Sequence, residues 1–308
     1  MATGLKILLS AGASPVAYNI IRHLKSLGHM LHAIDANEKA LPLARNIADE
    51  VEKAPLANDV EYLPFMIERI QNVDLFIPFI DEEIARLLNH SDEGLWRKCL
   101  LPAPEATRIC LYKNRFQAFC QDHTLPVAPA SSLTSRKLPA IFKPNLGRGG
   151  KGVEVINTQA EFAEKSKKDG VIQEFIEGDE YTIDALFSME GDLIKLSVRR
   201  RDVASGVSVI GTIVDPASFY PLVEKIARVL TFRYLINIQV IKDRQNSYHI
   251  IEINPRIAGS VMFSVYSGLD FLKNAIAVYT GEEVQFPTEQ KKIRIIRYWN
   301  EHVENLSI

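Results

Sequence analysis

The stretch FKPNLGRGGKGVEVI, residues 142–156, decides how the rest of the chain is read. Gly147, Gly149, Gly150 and Gly152 fall close together, with Arg148 and Lys151 among them. Backbone N–H groups that no side chain shields, beside fixed positive charge, make a cradle for phosphate. The residues after the loop decide which kind. A P-loop runs GxxxxGK[ST] from a strand into a helix. Here Lys151 is followed by Gly152, and Val153-Glu154-Val155-Ile156 reads as a strand. The helix N-terminus that a P-loop uses as its anion site is therefore missing, and a dinucleotide-binding fingerprint fails for the same reason. A glycine loop between two strands is a hairpin able to fold over phosphates as a lid. The plain alternative is a mobile surface hairpin.

The surroundings are those of an ordinary globular protein. The chain has 308 residues, 47% hydrophobic and 24% charged, with a net charge of −2. That length suits two or three structural units, and the charge excludes nucleic acid as the main partner. Cys99, Cys110 and Cys120 show no CxxC or Cys/His spacing. They read as buried thiols in a reducing compartment, so a cytoplasmic location is expected. The ILLSAGA run after Lys6 is too short for a signal peptide and reads as a first buried strand. No run reaches the roughly eighteen apolar residues of a membrane span.

Periodicity organises the chain. LKILLS (5–10) is an apolar strand, and Ser14-Pro15 opens a helix whose Val16, Ile20, Ile21, Leu24 and Leu27 recur at helical spacing up to Gly28. MLHAID and DLFIPF (74–79) are further strands, with a short helix near 39–48. Strands alternating with helices predict a parallel sheet covered on both faces. This first unit is placed at residues 1–104. The second, 105–308, begins with a helix around 112–122 and then turns strand-rich: AIFK, VEVI, VIQEFI, EYTIDALF, DLIKLSVRR, VSVIGTIV, YLINIQVI and SYHIIEIN. It divides into a small lobe, about 105–175, and a larger one, about 176–308.

Chemistry gathers at defined points. Lys143 ends the strand that leads into the glycine loop, where an ammonium can hold a phosphate; the plain alternative is an exposed strand-end lysine. Lys113 opens the preceding helix, with a solvated helix residue as its alternative. In QEFIEGDEYTID (173–184), period-two alternation puts Glu180, Thr182 and Asp184 on one strand face. The reversal around Gly178 offers backbone groups to a planar base and a carboxylate to ribose hydroxyls. In IIEINPRIAGS (250–260), Ile251 and Ile253 are expected to point one way, Glu252 and Asn254 the other. With Gln239 on the preceding strand, Glu252 and Asn254 form a set of oxygen ligands suited to a hard cation such as Mg²⁺. Arg256 follows, placed to stabilise charge on a transferring phosphoryl group. In Arg199-Arg200-Arg201, Arg199 and Arg201 share a face, either toward an anion in the cleft or as a solvated strand end. Arg294 and Arg297 fall on opposite faces of a last strand.

Lys113, the FKP of Lys143, GRGGKG, QEFIEGDE, Gln239 and EINPR, in that order, resemble the ATP-grasp superfamily over nearly the whole chain. The closest likeness is to its carbamoyl phosphate synthase-like, carboxylate–amine ligase branch. The resemblance implies an α/β chain with an N-terminal Rossmann-like pre-ATP-grasp domain followed by a two-lobed α+β ATP-grasp domain. It implies ATP as cofactor with one or two Mg²⁺ ions, Mn²⁺ being a substitute. Lys113 and Lys143 would contact phosphates under Gly149, Gly150 and Lys151. Glu174, Phe175 and Ile176 would meet the adenine, and Glu180 the ribose. Gln239, Glu252 and Asn254 would hold metal, and Arg256 with Lys143 would assist transfer of the γ-phosphoryl group. The implied reaction converts a carboxylate to an acyl phosphate, which an amine attacks, leaving ADP and phosphate. Partners are then small-molecule carboxylate and amine substrates, with a homodimer admitted. Phosphorylation of bicarbonate or carbamate, and ATP binding without catalysis, are the other readings.

Overall fold

The computed structural model describes residues 4–90, 92–131, 137–147, 149–298 and 300–303. The first apolar run forms β1 (Lys6–Leu9). The Ser14 hydroxyl accepts the Ala17 N–H at 3.2 Å and Pro15 takes the first position of α1 (Pro15–Ser26), which buries Ala17, Ile20, Ile21 and Leu24. Then come β2 (Met30–Asp35), α2 (Leu41–Arg45), β3 (Glu50–Lys53), α3 (Tyr62–Gln71) and β4 (Leu75–Ile77). The four strands are parallel, in the order β3-β2-β1-β4. Alternation in β1 decides the layers: Ile7 and Leu9 pack with α1, whereas Leu8 packs with α3 and α4 (Asp81–Leu88). Both faces of the sheet are thus covered, as expected for parallel strands.

After α5 (Glu93–Arg97), α6 (Pro104–Leu111) and α7 (Lys113–Asp122), the chain builds a small antiparallel sheet from β5 (Ala140–Pro144), β6 (Glu154–Ile156) and β7 (Gly170–Glu174), ordered β6-β5-β7. The helix α8 (Gln159–Lys165) starts with a reciprocal cap between Thr158 and Glu161. Among the described residues the core here consists of Ala140, Phe142, Ile156 and Phe162, with Leu138 and Ile172 against it.

The remaining strands, β8 (Gly178–Phe187), β9 (Leu193–Ser205), β10 (Val207–Val214), β11 (Tyr234–Asp243), β12 (Tyr248–Asn254) and β13 (Arg294–Ile296), form an antiparallel sheet ordered β12-β11-β8-β9-β10-β13. One face, with Ile183, Ala185, Leu196, Val198, Ile236 and Ile238, is apolar and covered by α6, α7 and α9 (Tyr220–Ala227). The other face is polar where it meets the small sheet. Further along it turns apolar at Leu186 and Leu235, which pack with α10 (Val261–Tyr266) and α11 (Phe271–Thr280) in the core that also contains β1. The large sheet is thereby tied to the parallel one. Among the described residues no helix is long and apolar enough to cross a membrane.

Candidate nucleotide site

Strand register assembles the site. Thr182 lies opposite Gln239, and Gln239 opposite Glu252; Asp184 lies opposite Asn237, and Asn237 opposite Asn254. Directly opposed residues in an antiparallel ladder share a face, so two polar rows run across the large sheet. A shift after Gln239 pairs Val240 with Ile250 and leaves Ile251 as the extra residue. This corrects one expectation. Ile250 and Ile253 enter the core, whereas Ile251 joins Glu252 on the cleft side. Alternation alone misses a bulge.

Between the two antiparallel sheets lies a cleft of about 630 Å³. It is lined by Lys113, Lys143, Gly149, Gly150, Lys151, Glu174, Phe175, Ile176, Glu180, Gln239 and Glu252. Asn254 and Arg256 do not line it; they stand behind Glu252. Asn254 Nδ2 donates to Glu252 Oε1 at 3.0 Å, and Arg256 Nη2 to Asn254 Oδ1 at 3.3 Å. Arg256 Nε donates to Asp81 Oδ1 at 2.5 Å, which fixes the guanidinium from a helix far away in sequence. Burial works against that charge, but Asp81, with Glu252 and Glu82, outweighs it and holds the arginine pKa above its usual value.

The glycine loop takes the conformation its composition requires. Gly149, Gly150 and Gly152 have φ of +63°, +73° and +74°, the left-handed region that costs other residues about 1–2 kcal/mol. Arg148 lies outside the described residues. Lys113 is not a solvated helix residue: its Nζ donates to the Gly147 carbonyl at 3.1 Å and stands 3.9 Å from Glu252. Nor is Lys143 an exposed strand end. It is 7% exposed, and burial, aided by the nearby Lys113 charge, lowers its pKa to about 8 against the pull of Glu252 and Glu180. No acceptor among the described residues meets its ammonium.

The arginine triplet divides. Arg199 is fully buried and forks onto Asp184 at 2.6 and 3.1 Å, with Ser260 Oγ on its Nε at 2.9 Å. It braces the turn after EINPR instead of reaching a ligand or solvent. Arg200 turns outward to Asp202. Arg201 enters the cleft, its Nη1 3.0 Å from both Gln239 Oε1 and Glu180 Oε2. Arg294 is exposed, while Arg297 donates to the Gly259 carbonyl at 2.6 Å. At the other end, the Glu174 and Phe175 N–H groups are taken by the Pro129 and Pro139 carbonyls, and the Glu174 carboxylate by Lys137. The Ile176 N–H has no acceptor among the described residues. Sequence reasoning missed His249, which lines the cleft with Nε2 held by Asp243 at 2.7 Å. Alternation could not find it, because period two from Ile251, expected to point away from Glu252, turns His249 away from the cleft as well.

Among the described residues no three His, Cys, Asp or Glu side chains cluster around a metal position. The oxygens of Glu252, Gln239 and Asn254 nevertheless suit Mg²⁺, which needs one or two carboxylates and takes its remaining ligands from water and phosphate.

A small and a large antiparallel sheet close on one cleft, the small one bringing lysine and glycines and the large one carboxylate and amides. Residues 166–302 match the family described as ATP-grasp in the biosynthetic pathway with Ter operon. A curated relative, the carbamoyl phosphate synthase large chain of Clostridium acetobutylicum, is 23% identical over 64% of this chain and 22% of its own length. The chain thus spans less than a quarter of the curated relatives it matches. Among solved structures, the biotin carboxylase domain of Hydrogenobacter thermophilus 2-oxoglutarate carboxylase, in complex with MgADP, ADP and bicarbonate, superposes with a TM-score of 0.74 at 18% identity, covering 94% of this chain and 73% of that one. N5-carboxyaminoimidazole synthetase of Staphylococcus aureus, complexed with ADP, gives 0.74 at 16% identity, over 93% and 80%. Residues 166–302 are thus similar to an ATP-grasp family, and the chain shares its fold with these solved structures.

Proposed function

We propose that this protein is an ATP-dependent ligase that activates a carboxylate as an acyl phosphate and passes the acyl group to an amine. The division into a pre-ATP-grasp unit (1–104) and an ATP-grasp unit (105–308) is part of the proposal. The observation that carries it is Lys143, a buried ammonium on the cleft wall that no carboxylate among the described residues pairs directly. Burying a cation without a partner is costly, so such a site is built for an anion that arrives. Lys113 and Lys143 would bind the phosphates, Gly149, Gly150 and Lys151 would close over them, and the Ile176 N–H would meet the base. Glu180 would take the ribose once Arg201 shares its charge with the polyphosphate. Glu252, Gln239 and Asn254 would hold one or two Mg²⁺, which supply charge neutralisation at the phosphates. Arg256, kept charged by Asp81, would hold Asn254 in place and lend its charge from behind Glu252. A carboxylate oxygen attacks the γ-phosphorus and ADP leaves. The amine then attacks the acyl carbon, and phosphate departs with that oxygen. The lid excludes water from the labile intermediate.

The synthase relatives favour bicarbonate as a second reading of the acid. One experiment tests both. The protein is incubated with Mg-ATP, hydroxylamine and pooled carboxylates, with and without bicarbonate, and ADP and hydroxamate are followed. ADP with one organic hydroxamate is the expected result. ADP that depends only on bicarbonate would replace the proposal by the second reading, and no ADP from any pool would count against both.

A further inference from the structure

The carboxylate side of the cleft leans on the first unit of the chain. Ser10, just past β1, is fully buried, and its Oγ accepts the Phe79 N–H at 3.0 Å, which ties down the link after β4. Two residues on, Asp81 takes the first position of α4, where free backbone N–H groups favour a carboxylate. Its side chain is buried and accepts Arg256 Nε at 2.5 Å. The rest of that guanidinium is also engaged inside the protein: Nη1 donates to the Ile257 carbonyl at 3.4 Å and Nη2 to Asn254 Oδ1 at 3.3 Å. Asn254 Nδ2 donates in turn to Glu252 Oε1 at 3.0 Å and to Asn237 Oδ1 at 3.3 Å, and Asn237 Nδ2 ends the chain on the Ile183 carbonyl at 3.4 Å. An amide can be turned over, exchanging oxygen and nitrogen. Here a guanidinium, which only donates, stands at one end and a carbonyl, which only accepts, at the other, so both amides have a single sense. Asp81 is the anchor of this relay.

Two carboxylates compete for Arg256. Asp81 holds it directly, but the charge of Glu252 reaches it as well, more strongly than that of Glu82. A buried guanidinium that loses its partner is an uncompensated charge, and it turns to the next anion. That anion is Glu252, the one carboxylate among the three oxygen ligands.

We propose that Asp81 is a positioning residue of the metal site: it keeps Arg256 off Glu252 and so leaves that carboxylate to the divalent cation. The inference rests on the nucleotide and metal reading of the cleft. It makes the first unit a working part of the site, because the residue that frees Glu252 lies on α4, 175 positions before Arg256. Displacing α4 from the large sheet would withdraw Asp81 and weaken the metal, while the lysines and the glycine loop keep their hold on the nucleotide. Control of this kind acts through the groups behind the ligands.

Mn²⁺ serves as the probe. Free Mn²⁺ is followed by electron paramagnetic resonance in the presence of ADP, and ADP with chelator by titration calorimetry. The proteins are the wild type, Asp81→Asn, Asp81→Leu and the double variant Asp81→Leu/Arg256→Met. Asp81→Asn keeps an acceptor for Arg256 Nε and should lose the least Mn²⁺ affinity. Asp81→Leu should lose about 10–100-fold, with metal-free ADP binding unchanged. Removing the guanidinium as well should recover part of that loss, because Glu252 is released. A merely damaged fold would be made worse by the second substitution and would weaken metal-free ADP too. Equal Mn²⁺ affinity in the wild type and Asp81→Leu, or no recovery in the double variant, would overturn the positioning role and leave the reading of the cleft standing. No Mn²⁺ bound by the wild type with ADP would overturn both.

Discussion

The two walls of the cleft rest on unequal foundations. The large sheet buries one whole face against three helices and cross-links the other through Arg199, Asp184, Ser260 and Ser264, all nearly or fully buried. Among the described residues the small sheet stands on four buried side chains and carries a loop in which an added Cβ would be crowded only at Gly152, against Pro144. A wall that must hold oxygens at fixed positions is packed on both sides. A wall that must admit a ligand and then cover it is thin, because low local stability is what lets a lid move. Lys143 belongs to the thin wall and Glu252 to the thick one, and the proposed chemistry needs both at once.

The largest expected effect joins the walls. Lys143→Ala and Glu252→Ala should each lower acid-dependent ADP formation by at least about 10²–10³-fold, with the cooperative thermal transition retained by circular dichroism; unaltered turnover in both would remove the site assignment. On the thick wall, Arg199→Met leaves Asp184 buried without its partner and should cost about 3–5 kcal/mol in urea unfolding. Pairing it with Asp184→Leu should recover a good part of that loss, whereas equal losses would show that the ion pair itself is not what holds the wall. On the thin wall, Gly149→Ala should raise the apparent KM for ATP roughly tenfold through the left-handed backbone cost of about 1–2 kcal/mol, with little change in melting temperature. A large drop in melting temperature instead would mean that the loop is part of the core.

A fourth prediction concerns protons. The folded pKa of Lys143 lies at about 8, below the ordinary 10.5. Between those values the unfolded chain holds a proton that the folded chain has released, so stability rises with pH across that window. Below about 8 the buried charge is a standing cost. Bound phosphates should restore the charged form. Nucleotide binding at pH 8 should therefore take up roughly half a proton, measurable by calorimetry in buffers of different ionisation heat, and Lys143→Met should abolish the uptake.

What the sequence made legible was local. The period-two spacing of Glu252 and Asn254, the glycine hairpin between strands and the Ser14-Pro15 helix start each depend on neighbouring residues alone. The register that brings Gln239 opposite Glu252 comes from a single hairpin. Illegible were the pairs made by the fold at long separation: Arg256 with Asp81, Gln173 with Gln117, and Arg201 with Gln239. Nothing in a strand's own pattern says which of three consecutive arginines will be buried, because that depends on Asp184 across the ladder and on Ser260 beyond it. The bulge at Ile251 was hidden for the same reason, since an extra residue has meaning only against the strand it faces.

The most direct measurement traces an oxygen atom. The acid that hydroxylamine trapping identifies is supplied with ¹⁸O in its carboxylate, together with Mg-ATP and the amine, and the released phosphate is analysed by mass spectrometry. Transfer through an acyl phosphate predicts one ¹⁸O in the phosphate for each ADP formed. Unlabelled phosphate, or label appearing in AMP, would contradict it.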